Sequence, residues 1–342
     1  MFGRIGKELF AVAFMGQYVM TAGSAMLSLS ISLNALSDHG ACTAVFVAVA
    51  FVLIFILASI RTLGRITWLA IVGVVCIITA VLTVTIAVSF QDQPPNAPKD
   101  VHWESDYRLF GNPSFSEAVS AVSTLIFAYA GTGAFFPIVS EMRDPHLYPR
   151  ALALCQTVVT IIFLTVGIVV YYYCGSYVAS PALGSAGVTI KKVSYGIAFP
   201  GLLVSSKYLF VRFLRNSKHL ASNSFVHWAT WLGCNFGVCL LAYILASAIP
   251  VFNGIVSLSG ALFGTLLSFQ PMGCMWLYDN WARKKSPTLR WRLMVAWSVF
   301  VIVAGSFMMI AGTYGAVVGI IDSYNADGGS SAWSCADNSN SS

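Results

Sequence analysis

An apolar segment that contains two glycines and a proline is the stretch whose spacing points most directly to chemistry. It reads FAYAGTGAFFP over residues 127–137, with Gly131, Gly133 and Pro137 inside a run long enough for a helix. Each interior glycine costs about 1 kcal/mol relative to alanine, and proline removes a backbone donor. The spacing therefore predicts a helix that is interrupted near its centre. At membrane depth such a break frees backbone carbonyls and amides, which are tolerated only where they line a cavity or meet a ligand.

Ionisable side chains for acid–base or covalent catalysis are nearly missing from the apolar segments. Glu117 and Glu141 stand at the two ends of segment 117–141, His227 begins a later segment, and Lys207 lies inside another. None has a partner at catalytic spacing, and the sequence contains no Walker A motif and no cluster of metal ligands. We therefore expect no enzymatic activity, no catalytic residue, no metal and no cofactor.

The composition defines the elements that must position the interrupted helix. Of the 342 residues, 57% are hydrophobic and 9% are charged, whereas a soluble domain has about 25% charged residues. We therefore expect an all-α polytopic membrane protein surrounded by the lipid bilayer. The formal charge of +6 comes from short basic clusters between apolar runs. Because no basic stripe with interleaved aromatic residues occurs, we expect no nucleic-acid partner.

Nine segments are predicted to span the membrane, since each offers the roughly 20 apolar residues that a spanning helix needs. They cover residues 9–33, 42–60, 66–89, 117–141, 151–175, 193–214, 226–248, 251–275 and 292–321. If the N-terminus is cytoplasmic, only Lys99, Arg108, Lys191 and Lys192 of the 19 basic residues lie in outer loops. The positive-inside rule therefore predicts a cytoplasmic N-terminus and an extracytoplasmic C-terminus.

The predicted organisation is one transmembrane domain over residues 1–321, incomplete at its N-terminus, with an irregular outer loop at 90–116. The tail at 322–342 is small and polar, which predicts disorder. Three of the eight cysteines, Cys42, Cys174 and Cys335, face an oxidising exterior in this topology. The sequence leaves open whether any two of them pair.

Four parts of the chain, in this order, resemble the amino acid/auxin permease family, and especially the fungal neutral amino acid permeases. They are the stretch 32–88 with its Ser37-Asp38-His39 turn, FAYAGTGAFFPIVSEMRDPHLYPRAL from residue 127, SSKYLFVRFLRNSKHL from residue 205 and AYILASAIPVFNGIVSLSGALFG from residue 242. The resemblance extends from about residue 5 to residue 320. Single motifs of this kind are weakly specific, but four in the family's order are a strong indication.

Members of that family have eleven helices in the leucine-transporter-type arrangement, with two inverted five-helix repeats and one further helix. The resemblance implies that the nine spans correspond to family helices 3 to 11, and that the first two helices are missing. A truncated gene model, a fragment and a real short form are all open. Because the broken helix 1 of the fold holds the substrate carboxylate, we expect the 342 residues by themselves not to transport.

By the same resemblance, segment 117–141 matches family helix 6, a broken helix that holds substrate. The predicted substrate-binding residues on it are Phe127, Ala128, Tyr129, Ala130, Gly131, Thr132 and Gly133. The carbonyls from Phe127 to Ala130 would face a substrate ammonium, residues 131–133 would supply unwound backbone, and Phe127 or Tyr129 would line the side-chain pocket. The alternative is close helix packing, for which membrane helices also use glycine.

Polar side chains on two other spans complete the predicted site. Tyr18 and Thr21 lie on the span that resembles family helix 3 and are expected to touch substrate, with hydrogen bonding between helices as the alternative. Ser205 and Ser206 occupy positions where sodium-coupled relatives of the fold keep hydroxyl ligands. Lys207 follows them directly, and its cation argues against sodium and for proton coupling or no metal at all. Alternatively, Lys207 only extends its ammonium group to the membrane interface.

The predicted function is secondary transport of neutral or aromatic L-amino acids, driven by protons, at the plasma membrane. The spans offer no buried charge to pair with a charged substrate side chain. The vacuolar membrane is the alternative location, because no sorting signal is visible. The rival function is a non-transporting amino acid sensor on the same fold, or an inactive fragment.

Overall fold

The computed structural model consists of helices and connecting segments. It describes residues 3–59, 66–95, 97–98, 103–131, 135, 138–140, 142–214, 225–281, 288–325, 332–333 and 335–339. No β-strand occurs among these residues. The predicted all-α class is therefore confirmed.

Helices follow one another along the described residues. They are α1 (Gly3–Ser37), α2 (Thr43–Ser59), α3 (Ile66–Phe90), α4 (Phe115–Tyr129), α5 (Tyr148–Cys174), α6 (Val188–Leu214), α7 (Phe225–Ala248), α8 (Phe252–Ser259), α9 (Thr265–Ser268), α10 (Gln270–Asn280) and α11 (Leu289–Asn325). A π-helical turn, Gly260–Gly264, joins α8 to α9. Each predicted span overlaps a helix, but α4 ends at Tyr129, inside the predicted span 117–141.

Six helical stretches of the described chain are long and apolar enough to cross a membrane, by length and composition. Two shorter apolar helices, α2 and α4, accompany them. Helix α5 is the most exposed of the six, and Leu154, Ile161 and Ile168 follow one another along its exposed side. The seven-residue spacing places these side chains on one face. A continuous apolar face of this kind is suited to lipid rather than to water.

The chain divides into two compact units. The first comprises Met1–Thr21, Pro113–Tyr148 and Asn253–Ala326, and the second comprises Ala22–Asn112, Pro149–Phe252 and Asp327–Ser342. Because the boundary falls within α1, the first half of this helix belongs to the first unit and its second half to the other. The predicted substrate-binding residues on α1 and α4 all belong to the first unit.

Small residues bring three helical elements of the first unit together. A Cβ atom on Gly260 of the π turn would collide with the carbonyl oxygen of Ser123 on α4, and one on Gly312 of α11 would collide with the Ser123 hydroxyl. Ser123 is completely buried, and its hydroxyl donates to the carbonyl of Val119 at 2.7 Å. Close backbone approach at glycine is typical of helix packing in membranes. These contacts fix α4 between the π turn and α11.

The second unit also contains a close helix crossing. A Cβ atom on Gly201 of α6 would lie 2.6 Å from the carbonyl oxygen of Gly73 on α3. The irregular loop before α4 is docked at the end of α5, where the Asp106 carboxylate accepts hydrogen bonds from the Ser176 amide at 2.8 Å and the Ser176 hydroxyl at 2.6 Å. This loop therefore has a fixed anchor although it contains neither helix nor strand in its described part.

The tail differs from the disordered segment that its composition predicts. Helix α11 extends to Asn325, and residues 332–333 and 335–339, called the strap below, belong to the second unit. Cys335 in the strap forms a disulfide with Cys42, while Cys174 is a buried free thiol. Polar composition favours disorder only while nothing compensates the lost chain entropy. Here the disulfide and several hydrogen bonds hold the strap in place.

Candidate functional site

The site begins with the amino-terminal end of α4, which the sequence caps well. The Ser114 side chain accepts a hydrogen bond from the Glu117 amide at 3.4 Å, and the Glu117 carboxylate accepts one from the Ser114 amide at 2.8 Å. This reciprocal arrangement is a capping box, which satisfies two backbone donors at the start of a helix. The start of α4 is therefore fixed by side chains of its own segment.

The other end of α4 lies at the sequence predicted to interrupt the helix. The last helical residue is Tyr129. The Ala130 amide then donates to the Phe127 carbonyl at 3.1 Å, and the Gly131 amide donates to the Tyr129 carbonyl at 2.8 Å. These short-range bonds replace the regular bonds between residues four apart, so the helix stops one residue before the first glycine. The low helix propensity of glycine accounts for this position.

The predicted binding residues on α4 differ in exposure. Ala128, Tyr129 and Gly131 are exposed, while Phe127 and Ala130 are half-buried. Thr132 and Gly133 lie outside the described residues. Among the described residues, a Cβ atom on Gly131 would meet the ring of Phe135 alone, at 3.4 Å, which is nearly ordinary contact. Gly131 is therefore not one of the glycines at which helix backbones touch.

The π turn Gly260–Gly264 packs directly beside the end of α4. A Cβ atom on Gly260 would lie 3.0 Å from Phe127 Cβ, and one on Gly264 would lie 3.4 Å from Ala130 Cβ. Within the turn, the Thr265 amide donates to the Gly260 carbonyl, five residues earlier. Turns of this type leave the regular helical bonding pattern and occur often at functional sites. The site thus contains two irregular helix segments that pack side by side: the end of α4 and the π turn Gly260–Gly264.

A polar cluster on α1 faces α8 in the same unit. The Ser259 hydroxyl donates to Gln17 Oε1 at 3.4 Å, and Gln17 Nε2 donates to the Thr21 hydroxyl at 3.2 Å. The Thr21 hydroxyl in turn donates to the Gln17 carbonyl at 2.8 Å. Ser259 is completely buried and precedes Gly260 directly, so the cluster lies next to the π turn. Tyr18, the neighbour of Gln17 in sequence, is half-buried.

Two parts of this arrangement were not among the predicted site residues. The π turn and Ser259 are contributed by the segment AYILASAIPVFNGIVSLSGALFG, in which Gly260 and Gly264, spaced four apart, signal a close helix approach. Gln17 was visible as a polar residue in an apolar span, but its partner on α8 was not. Only the packing of the two helices brings these side chains together.

The predicted coupling residues belong to the second unit. Ser205, Ser206 and Lys207 are in α6, and their side chains lie outside the described part of the structure. Their role in coupling therefore stays a prediction.

The electrostatic character of the site comes from backbone dipoles. Gln17, Thr21, Ser259, Phe127 and Tyr129 are uncharged at neutral pH. Within the described ranges, no group of three or more His, Cys, Asp and Glu side chains could hold a metal ion. The carboxyl end of a helix carries about half a negative charge, so the end of α4 offers a place for a cationic group. The arrangement can bind a small polar ligand, and it contains no group for bond-making chemistry.

Comparison with known proteins yields one family and several fungal relatives. The family model described as transmembrane amino acid transporter protein matches residues 1–318. A "Transmembrane transporter" of Gibberella moniliformis is 36% identical over 345 residues, covering 98% of this chain and 73% of the relative. An "N amino acid transport system protein" of Neurospora crassa is 31% identical over 350 residues, covering 98% of this chain and 73% of the relative.

A more distant match is shorter. The "Vacuolar amino acid transporter 4" of Saccharomyces cerevisiae is 28% identical over 108 residues, covering 28% of this chain and 15% of the relative. No solved structure matches the chain significantly.

Proposed function

The chain belongs to the transmembrane amino acid transporter family, and from this premise we propose that it carries neutral and aromatic L-amino acids with proton coupling. The predicted family is thereby confirmed, and the protein is an integral membrane transporter rather than an enzyme. An amino acid as the small-molecule substrate follows from the family. Its side-chain class, the coupling ion and the membrane are the proposed parts.

The proposal depends above all on the interrupted end of α4 beside a buried polar cluster. The carbonyls near Tyr129 are the negative end of the helix dipole and suit a substrate ammonium. Gly131, two residues after Tyr129, is exposed and has no side chain of its own to cover the backbone. In the proposed role, Phe127, Ala128, Tyr129 and Ala130 bind through their backbone, and Thr132 and Gly133 continue the unwound stretch.

The side-chain selectivity is proposed from the walls of the same site. Phe127, Tyr129 and Tyr18 offer aromatic surface, and Gln17 with Ser259 offers neutral hydrogen-bonding groups. None of these side chains would neutralise a charged substrate side chain, and burying an unpaired charge is costly. Neutral substrates, including aromatic ones, are therefore favoured.

Proton coupling is proposed from the sequence around Ser205 and Ser206. The cation of Lys207 adjoins the two hydroxyls that would have to bind sodium, and repulsion between the two cations disfavours metal binding there. A lysine can exchange a proton when its surroundings change, which gives a means of coupling.

The location proposed is the plasma membrane, with the N-terminus in the cytoplasm. Cys42 and Cys335 form a disulfide, and disulfides persist mainly in oxidising compartments. This supports an extracytoplasmic position of the strap and agrees with the positive-inside prediction. The vacuolar name of the partial yeast relative keeps the vacuolar membrane as the alternative.

Uptake of radiolabelled amino acids by cells that express the full-length parent of this chain tests the proposal, because the 342 residues by themselves are expected not to transport. We expect saturable uptake of neutral and aromatic L-amino acids, inhibition by unlabelled L- but not D-forms, and loss of accumulation after a protonophore. Host cells that lack the gene are the control.

Each part has its own contradicting result. Accumulation that persists after the proton gradient is removed would exclude proton coupling. Preferential uptake of lysine or glutamate would exclude the neutral substrate class. Stereoselective binding without any uptake would favour the sensor alternative.

A further inference from the structure

We propose that the strap is a disulfide-held brace that joins the ends of four helices in the second unit, and that thiol reduction releases it and slows transport. The brace itself does not depend on the substrate, whereas its effect on transport rests on the proposed function. Nothing in the sequence distinguishes this segment from a disordered tail, apart from Cys335.

The covalent contact joins the strap to the beginning of α2. Cys42 precedes Thr43, the first residue of α2, and its Cα lies 4.4 Å from that of Cys335. The two cysteines are 293 residues apart in sequence. The bond therefore attaches the strap, which follows α11, to a turn near the start of the chain.

A buried amide joins the strap to α1 and α2. Asn34 of α1 is completely buried, and its Nδ2 donates both to the Thr43 hydroxyl at 2.8 Å and to Asn338 Oδ1 at 2.6 Å. The Thr43 hydroxyl donates to the Ala336 carbonyl at 2.6 Å. Two strap residues thus satisfy polar groups that would otherwise be buried without these partners. Leaving such buried groups unpaired destabilises the folded state.

A buried cation joins the strap to α6. Lys191 is only 4% exposed, and its ammonium group donates to the Ser339 carbonyl. The Asp337 carboxylate holds the same turn of the strap, since it accepts from the Ser339 amide at 2.8 Å and the Ser339 hydroxyl at 2.7 Å. A buried charge is stable only with suitable partners. Release of the strap removes the Ser339 partner from Lys191.

The first part of the strap closes the end of α7. The Trp333 amide donates to the Ser247 carbonyl at 3.0 Å, and the Trp333 ring packs edge-on against Tyr243 with centroids 5.5 Å apart. The last carbonyls of a helix lack partners within it. Trp333 supplies one, so the strap contacts α1, α2, α6 and α7 within seven described residues of the chain.

The disulfide is accessible to a reductant because Cys335 is exposed and Cys42 only half-buried. A small dithiol supplies the two electrons. Its thiolate attacks Cys335 Sγ, the bond to Cys42 Sγ breaks, and Cys42 leaves as a thiolate that takes up a proton. The second thiol then attacks the mixed disulfide, which releases the Cys335 thiol and leaves the reagent as a cyclic disulfide.

The experiment uses the purified full chain in oxidised form and dithiothreitol as the dithiol. We expect a lower unfolding temperature after reduction, together with two additional alkylated cysteines by mass spectrometry. C42S, C335S and the double variant should show this same lower temperature without reductant, and no further response to it. C155S, which removes an exposed free cysteine of α5, should retain the full response.

Uptake by cells that express the full-length parent with the same substitutions, measured in parallel, separates the two proposals. We expect reduction to lower the uptake rate of the unmodified protein and of C155S, but not that of C42S/C335S, which is already slow. An unchanged unfolding temperature after complete reduction would overturn the brace. A lower unfolding temperature with an unchanged uptake rate would overturn the role of the brace in transport. Absence of uptake in every oxidised form would overturn the proposed function, while the unfolding temperatures still decide on the brace.

Discussion

The two units hold their polar groups by different means. In the first unit Gln17, Thr21 and Ser259 form a polar cluster within helical segments, and the helices are kept in place by glycine contacts such as Gly260 against Ser123. In the second unit the strap binds helix ends through side-chain hydrogen bonds and the Cys42–Cys335 disulfide. An added methyl group cannot share the space of a backbone atom, whereas the loss of one hydrogen bond leaves the others intact. The stability of the first unit should therefore be most sensitive to added side-chain volume. Attachment of the strap should depend on how many of its hydrogen bonds and its disulfide are present.

The largest effect is expected from Gly260→Ala. The new Cβ would overlap the Ser123 carbonyl, so the π turn or α4 must move. Overpacking of this kind costs about 1–3 kcal/mol. We expect a lower unfolding temperature of the purified protein and little or no uptake.

Gly319→Ala on α11 is the matched control, because a Cβ atom there meets nothing within 4 Å. It should leave the unfolding temperature unchanged or raise it, since alanine favours a helix by about 1 kcal/mol over glycine. Equal unfolding temperatures of the two variants would show that volume is not what limits the first unit.

The interruption of α4 was predictable from sequence, whereas the π turn was not. Glycine and proline act through the backbone of their own segment, so Gly131 and Pro137 are informative without knowledge of any neighbour. The turn Gly260–Gly264 depends on which face of its helix meets α4. Its glycines are visible in the sequence, but their partner Ser123 is set by tertiary packing.

The same distinction separates the predicted from the unpredicted contacts elsewhere. Thr21 was a visible candidate on α1, yet its link through Gln17 to Ser259 requires the positions of two helices. The predicted topology put three cysteines on one side of the membrane and left their pairing open. The Cys42–Cys335 bond joins residues 293 apart, a separation at which local pattern carries no information.

A second, more selective effect is expected from Gly131→Leu. Because Gly131 contacts only the Phe135 ring among its described neighbours, the substitution should not disturb helix packing. Leucine would instead extend the helix and cover the carbonyl end of α4. We expect membrane insertion and unfolding temperature to be retained while amino acid binding, measured by ligand-dependent thermal shift, is lost.

Gly131→Ala is the graded control and should weaken binding less than leucine does, since it adds a single methyl group. Unchanged binding by the leucine variant would remove the end of α4 from the substrate site. A large fall in unfolding temperature would instead assign Gly131 to packing and abolish the contrast with Gly260.

A smaller effect is expected from Ser259→Ala. It removes the donor to Gln17 Oε1, and a neutral hydrogen bond contributes about 0.5–1.5 kcal/mol. The KM for uptake should rise roughly 2–10-fold on this basis, with the maximal rate nearly unchanged.

Ser257→Ala is the matched control, because the Ser257 hydroxyl donates to the Gly254 carbonyl of its own helix. The double variant Ser259→Ala/Gln17→Leu should raise the KM for uptake no more than Gln17→Leu does alone. Fully additive effects would show that the two side chains act independently, and the polar cluster would not be one unit.

The smallest effect is expected at the Asp106 contact in the second unit, where single bonds can be removed one at a time. The hydrogen bonds from Ser176 hold the pKa of the exposed Asp106 carboxyl below its ordinary value. Since the folded pKa is depressed, the docked loop gains stability that is fully present above the unfolded pKa, near 4 in general. That stability is lost as the pH falls through the lowered folded value.

Hydrogen exchange at the Ser176 amide should therefore accelerate between pH 5 and pH 3, relative to its intrinsic rate, while D106N shows fast exchange at both pH values. An identical pH response of D106N would assign the change to other carboxyl groups. Global unfolding temperature should hardly change, because an exposed contact contributes little; a collapse of the whole unit in D106N would mean that its polar contacts are as indispensable as the glycine contacts of the first.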